Sequence, residues 1–327
     1  MGCKSETQGE RLKKYILTRL AALIPILLIV SFFTFLLLNL LPGNPVDTIC
    51  GTGCTAAGHA QLTRQLGLNK PIFTRYLLYL KHALEGNLGK SYLTNQNVSQ
   101  ALAQRLPITL ELMFLSQVLA LVVAVPLAIF SSLRPDSRFD RLSSSFSFGL
   151  LSIPTFVIGV FLVLAFAVKV HLFPATGYVN LTANLGENLK SLVLPVITLS
   201  TGSIAVYHRV LRSDLIATLQ EDYITMAKAK GLSTRYIMLR HALRPSTITF
   251  VTLAGLNVGT LIGGAFVVEV IFQLPGIGLL TVTSIGQSDY LMVQGIVLVT
   301  TVGFVLINLL ADILNAVIDP RIRRARV

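Results

Sequence analysis

Apolar residues fall into long runs separated by short polar stretches, without the period-two alternation of a half-buried strand. A hydrocarbon core of roughly 30 Å takes about 20 helical residues at about 1.5 Å each. Six runs meet that length: about Leu20 to Leu41, Ile108 to Leu133, Leu142 to Val168, Ser191 to Val206, Thr247 to Phe272, and Leu291 to Ile318. The fourth is the weakest, being short and carrying Thr198, Ser200, Thr201, Gly202 and Ser203. Pro25, Pro126, Pro154 and Pro195 lie inside runs, which membrane helices tolerate when neighbours satisfy the freed carbonyls. The pattern predicts an all-α integral membrane protein, a bundle of six transmembrane helices.

Inside the runs, the unusual residues are small or polar. Gly255, Gly259 and Gly263 recur every four residues with Asn257 among them, a ridge read as a close helix contact, with a lining of the substrate path as the alternative. Glu269 falls near the outer end of the same run and reads as interfacial, with a gate contact as the alternative. Asn308, Asp312, Asn315 and Asp319 follow helical spacing and form a polar stripe along one face of the last run, read as a tether to the basic inner loops.

Composition agrees with the pattern. The chain has 327 residues, of which 53% are hydrophobic and 13% charged, with a mean hydropathy of +0.71. A water-soluble domain needs more polar surface than that. The net charge of +12 raises nucleic-acid binding, but the positions of the cations explain it otherwise. With the N-terminus inside, 19 of the 27 Lys and Arg residues fall in inner segments, among them Arg134, Arg138, Arg141, Arg209 and Arg212. That is the positive-inside bias, with both termini cytoplasmic and no nucleic acid required. The divisions are then an inner N-terminus and first span (1–41), an outer segment (42–105), a five-span core (106–318) and a basic inner tail (319–327).

Local motifs narrow the chemistry. MGCKSE has Glu6 where a myristoylation start needs Ser or Thr, and the first run is too long for a cleaved signal, so it reads as an anchor. Cys50 and Cys54 fall outside, where a local disulfide is expected rather than a metal site. The five histidines show no metal-binding spacing, and no nucleophile elbow occurs. Gly89-Lys90-Ser91 resembles the end of a phosphate-binding loop, but the first glycine of that loop would fall at Leu84. No enzymatic activity is expected, and any nucleotide chemistry belongs to another chain.

One polar stretch stands apart: EDYITMAKAKGLSTRYIMLRHALRP, from Glu221 to Pro245, between the fourth and fifth runs and on the inner side. Ala227 and Gly231 are four apart, which places two small residues on one helical face and permits close approach by a partner.

Eight segments together resemble the transmembrane permease subunit of a bacterial dipeptide or oligopeptide ABC importer. They are LLPGNPVD, LTRQLGLNKPIFTRYLLYLKHALEGNLGKSY, RLPITLEL, SIPTFVIGVFLVLAF, LFPATGY, VEVIFQLPGIGLL, SDYLMVQG and the terminal DPRIR. The likeness runs nearly end to end. It implies the type I importer permease fold, with a coupling loop at 209–245 whose short helix seats in a groove of an ATPase subunit. Asp222, Ala227, Gly231, Leu232 and Leu243 match or flank that motif, Tyr223 and Met226 would serve as apolar anchors, and Arg235, Arg240 and Arg244 as a charged rim. Thr225 and Met226 depart from its Glu and Ala, and Pro245 comes one place late. The implied partners are a second homologous permease, two ATPases carrying ATP and Mg, and an extracytoplasmic solute-binding protein; the chain itself binds no cofactor.

The substrate class implied is peptide, with nickel, haem or another solute as the alternative within the same family. A proton-driven secondary transporter would want an inverted repeat and a midplane relay of titratable groups, neither of which is visible. A non-transporting membrane scaffold would fit the helices but not the docking loop.

Overall fold

A computed structural model of the chain describes residues 24–37, 46, 55–65, 69–91 and 93–318. Among these the structure is helical, with one isolated bridge between Lys90 and Asn97. The helices are α1 (Ile24–Leu37), α2 (Ala56–Gln65), α3 (Ile72–Leu84), α4 (Val98–Leu133), α5 (Arg138–Ser152) and α6 (Thr155–Lys169). They continue with α7 (Leu185–Leu219), α8 (Asp222–Ala229), α9 (Thr234–Tyr236), α10 (Leu243–Phe272), α11 (Ile277–Gly286) and α12 (Tyr290–Ile318). Helices α4 and α7, and the stretches Thr249–Phe272 of α10 and Tyr290–Ala311 of α12, are each long and apolar enough to cross a membrane. The first apolar run is described only over α1. Cys50 and Cys54, and hence the expected disulfide, lie outside the described residues, as does the basic tail from residue 319.

The third run differs from its expected form. It is two helices, α5 and α6, bent by 102° at a break before Pro154. Proline's ring disfavours helical conformation in the residue before it, and Ile153 is extended at φ −98° and ψ 124°. Pro154 itself then starts α6, where its missing N–H costs nothing. By contrast Pro195 sits inside α7 without ending it.

The chain forms two compact units. Among the described residues the first comprises Leu110–Leu274 and 306–318. Within it α7 is the central helix, packed against α5, α6 and α10. Two-thirds (67%) of its most apolar window is buried in protein, against 33% for α4. This explains its weak hydropathy, since a helix surrounded by protein can carry hydroxyls that lipid would reject. Those hydroxyls return to their own backbone: Thr198 donates to the Leu194 carbonyl at 2.7 Å, and Thr201 to that of Thr198 at 2.8 Å.

The core of this unit has two parts. One gathers Leu112, Leu192, Leu199, Leu261, Val268 and Phe272; the other gathers Ala120, Ala124 and Ala128 of α4 with Tyr207, Leu211, Leu215 and Phe250. Helices in lipid gain little from excluding water, so close packing over small residues holds them together. Of the predicted glycine ridge, Gly255 does this against α12, where an added Cβ would stand 2.8 Å from that of Ala311. Gly259 is buried. Gly263 is exposed with nothing near it, while the neighbouring Gly264 takes the close approach, to Leu199.

The second unit comprises the described residues between 24 and 109 together with Pro275–Val305. Tyr76 of α3 donates to the Leu28 carbonyl at 2.9 Å and lies against the Phe32 ring. Gly89, at φ +90°, turns the chain so that Ser91 hydrogen-bonds Asp289, and the Ile277 N–H donates to Thr109 Oγ1 at 2.9 Å. The Gly89-Lys90-Ser91 sequence is therefore a packed turn.

Gly255→Val forces a branched side chain into Ala311, and overpacking of this kind costs about 1–3 kcal/mol. A lower melting temperature in detergent is the expected result. Gly263→Ala, in open space, leaves that temperature unchanged or raises it.

Candidate functional site

The segment from Glu221 to Pro245 folds as a helix, a tight turn and a widened helical turn. Asp222 stands in the first turn of α8, where a carboxylate complements the helix dipole. Ile224 and Ala227, three apart, face inward and pack with Ile237 and Leu219. The end of α8 is a Schellman motif: the Gly231 N–H donates to the Lys228 carbonyl at 3.0 Å and the Leu232 N–H to that of Ala227 at 3.3 Å. Gly231 adopts φ +76°, a left-handed conformation that favours glycine. Ser233 then caps α9, accepting from the Tyr236 N–H at 3.4 Å. A π-helical turn at Ile237–Ala242 leads into α10.

Pro245 has no N–H to offer the His241 carbonyl four residues back, and Tyr223 Oη donates to that carbonyl at 3.4 Å. This bond ties α8 to the start of α10. Burial, and then the nearby Glu221 charge, raise the Tyr223 phenol above its ordinary value. Leu243 is half-buried against the inner core, whereas Pro245 is exposed. A cavity of about 190 Å³ lies under the segment, lined by residues including Pro135, Ile216, Lys228, Thr234 and Ile237.

The outer face is apolar and cationic together. Tyr223, Met226, Leu232, Tyr236 and Leu239 are exposed, Met226 by 60%. Lys228, Lys230, Arg235, Arg240 and Arg244 are exposed around them. One expectation needs correcting. Ala227 and Gly231 do not share a face offered to a partner, because Ala227 is buried within the segment and Gly231 lies past the helix end as its cap.

Behind this segment, α7 carries a polar network that sequence reading missed. Arg212 forms a two-pronged pair with Asp140 of α5, its Nη2 lying 2.6 Å from Oδ2, and Asp140 also accepts the Asp136 N–H at 2.8 Å. One turn deeper, the fully buried His208 bridges Ser131 Oγ at 3.2 Å and Ser147 Oγ at 2.8 Å. Ser131 in turn meets Ser143 at 2.7 Å. The available signal was spacing: His208 and Arg212 are four apart, as are Ser143 and Ser147, so each pair shares a helical face. Counting the arginines only as topology markers hid it.

In midbundle, Asn257 donates to Ser203 Oγ at 2.7 Å and Tyr207 Oη at 2.9 Å, while Thr260 donates to its carbonyl oxygen at 2.9 Å. Tyr207 passes its own proton to Gln117 at 3.0 Å. Asn257 is thus committed to joining α7 and α10, with Tyr207 extending the chain to α4. Glu269, three residues from the end of α10, is fully buried within the protein. Asn308 is half-buried, and the Asp312 side chain lies outside the described residues, as do those of Asn315 and Asp319. At the far end of the unit Tyr178 donates to Glu111 at 2.6 Å, and burial first, then that carboxylate, push its phenol up to about 12.

Comparison with known proteins agrees with this architecture. Residues 124–324 match the model of the family described as binding-protein-dependent transport system inner membrane component, and residues 12–113 match the N-terminal model of such components. The chain is 36% identical over 309 residues to the "Probable peptide ABC transporter permease protein" of Sinorhizobium fredii, covering 94% of this chain and 99% of that one. It is also 36% identical over 309 residues to the glutathione transport system permease protein GsiC of Salmonella paratyphi A, covering 94% and 98%. A chain of the inward-facing methionine ABC transporter MetNI superposes with a TM-score of 0.56 at 17% identity, over 67% of this chain and 97% of that one, a likeness of fold.

The chain is an inner-membrane permease component, without catalytic activity of its own. It belongs to the family of binding-protein-dependent transport system inner membrane components.

Asp140→Ala strands the Arg212 guanidinium and the Asp136 N–H. Breaking such a pair costs about 3 kcal/mol, towards the low end because Arg212 keeps 26% of its exposure. Thermal unfolding of the single variants and of Asp140→Leu with Arg212→Met measures the coupling, and the double apolar replacement is expected to cost less than either single loss.

Proposed function

We propose that this chain forms half of the translocation path of an ATP-driven importer for peptides. A second homologous permease completes the path, and an extracytoplasmic binding protein delivers the solute. Two ATPase subunits, carrying ATP and Mg, close against the segment 221–245 from the cytoplasm. Both chain termini lie on that side, in keeping with the concentration of Lys and Arg in inner segments. Peptide as substrate is supported by relatives named for peptide and glutathione transport at 36% identity over nearly the whole chain.

The observation that carries the docking role is the exposed set Tyr223, Met226, Tyr236 and Leu239 within a cationic rim. A soluble-facing surface with several large apolar side chains together is a mark of an interface, and aromatic and Met side chains are typical anchors. Ile224 and Ala227 fix α8 to Ile237 and Leu219, so force applied at Met226 passes to the end of α7 and the start of α10. Alternate opening to the two sides would follow from moving these helices as a packed body.

Met226→Asp with Tyr236→Asp places charges in the apolar centre of that face while leaving Ile224 and Ala227 in place. Uptake of a radiolabelled dipeptide by membrane vesicles is expected to fall at least tenfold, with the ATPase subunits lost on co-purification and the amount of membrane-inserted chain unchanged. Wild-type uptake by this variant overturns the docking role. For orientation, Met226→Cys should react with a membrane-impermeant maleimide in inverted vesicles and stay unlabelled in intact cells; the reverse pattern places the segment outside.

A further inference from the structure

Helix α3 carries two apolar faces, and the protein uses only one of them. On the used face Tyr76 is buried, its hydroxyl donating to the Leu28 carbonyl at 2.9 Å and meeting Ser31 Oγ at 2.8 Å, with its ring against Phe32 and Phe35 of α1. The other face is Phe73, Leu77, Leu80 and Leu84, spaced four, three and four, which makes a single line roughly 16 Å long. Phe73 is 65% exposed, Leu77 63% and Leu84 90%. Beside that line runs a more polar one, Thr74, Leu78, Lys81 and Glu85, with His82 further round the helix, all of them exposed.

We infer that α3 lies in the surface of the bilayer as an amphipathic helix, with Phe73, Leu77 and Leu84 among the acyl chains and Lys81 and His82 turned to the headgroups and water. A helix whose apolar line is flanked by charged and polar residues suits that position. Continuity with a lipid-facing surface selects lipid as the occupant. The Phe73 ring stacks on Phe32 of α1 with 5.5 Å between centroids, and Phe32 meets the exposed Phe33 at 6.1 Å. The exposed line of α3 thus runs on into α1, the described part of the first apolar run, which also exposes Ile24, Ile26, Ile29 and Leu37. Depth agrees. Tyr79 lies against the Phe35 ring at 6.2 Å and donates to the Gln294 carbonyl at 3.4 Å. Phe35 is six residues, about 9 Å, before the end of that run at Leu41, and Gln294 is four residues, about 6 Å, past the start of α12. An interfacial helix sinks its apolar face roughly 5–10 Å. A protein that docks and leaves would instead meet a surface about as polar as its surroundings, whereas this line has no hydrogen-bonding side chain at four successive positions. The orientation proposed above makes the leaflet the outer one, and in that respect alone the inference rests on the proposed function.

The chain has no tryptophan, so a single introduced one reports its own surroundings. Leu77→Trp, Leu84→Trp and His82→Trp of the full-length chain are compared in vesicles of phosphatidylcholine, either plain or brominated near the top of the acyl chains. Emission from Leu77→Trp and Leu84→Trp is expected to drop at least about twofold in the brominated lipid, while His82→Trp changes much less and is quenched by iodide from the water. The two leucines are exposed and sit on different turns, so either variant reports if the other folds poorly. Contact with bromine does not depend on the leaflet, which keeps this result separate from a reversed orientation found by labelling Met226→Cys. Equal emission from both leucine variants in the two lipids overturns the inference. So does equal quenching at positions 77 and 82, which would place α3 wholly in hydrocarbon. A cross-link from Leu77→Cys to another protein chain in intact membranes, covering the line in place of lipid, overturns it as well.

Discussion

Lipid offers no hydrogen-bond partners, so every polar group carried into the bundle must close its bonds within the protein. Helix α7 meets that constraint at most of its polar side chains, Asn188 Oδ1 and Asp214 Oδ2 being the exceptions. Along its length the hydroxyls of Thr198 and Thr201 return to backbone carbonyls, Ser203 and Tyr207 take both protons of the Asn257 amide, His208 holds two serines, and Arg212 grips Asp140. Each of the last three sets joins α7 to a different neighbour or pair of neighbours. Polarity, which makes α7 a poor helix for lipid, makes it a good centre for a bundle.

The same arrangement bears on how the proposed docking segment would act. Leu219, the last residue of α7, packs with Ile224, Ala227 and Ile237, so the segment is an extension of the central helix rather than a slack connector. Gly231 closes α8 in the left-handed conformation and Tyr223 reaches the carbonyl that Pro245 leaves free. Two backbone exceptions, a positive φ and a missing N–H, thereby fix the shape of a polar segment that has little core of its own. The exposed side chains Met226 and Tyr236 are consequently held on a stiff support, the condition under which a surface can pass on a displacement instead of absorbing it.

Much of the fold was legible in the chain because lipid imposes a length rule that apolar runs obey. The runs at Ile108 to Leu133, Thr247 to Phe272 and Leu291 to Ile318 all fall within observed helices, and the short run at Ser191 to Val206 falls inside α7. The exposed and apolar character of Tyr223 and Met226 followed from their place in a polar segment. Other features were hidden by a loss of context. Pro154 looked like Pro195, yet one follows an extended residue at a 102° bend between two helices and the other lies within a continuous helix. Ala227 looked like half of a docking face and instead is buried under Ile237.

The sequence by itself determined that the chain is a helical membrane protein, where its long apolar helices fall, where the cations concentrate and which polar segment stands apart, because these depend on local hydropathy and charge. Only the tertiary structure decided which polar residues meet. Asp140 and Arg212 are 72 residues apart, and His208 lies 77 residues from Ser131 and 61 from Ser147. A partner at that distance is chosen by how helices pack around α7, and packing depends on side chains from several helices at once, which no single stretch of sequence contains.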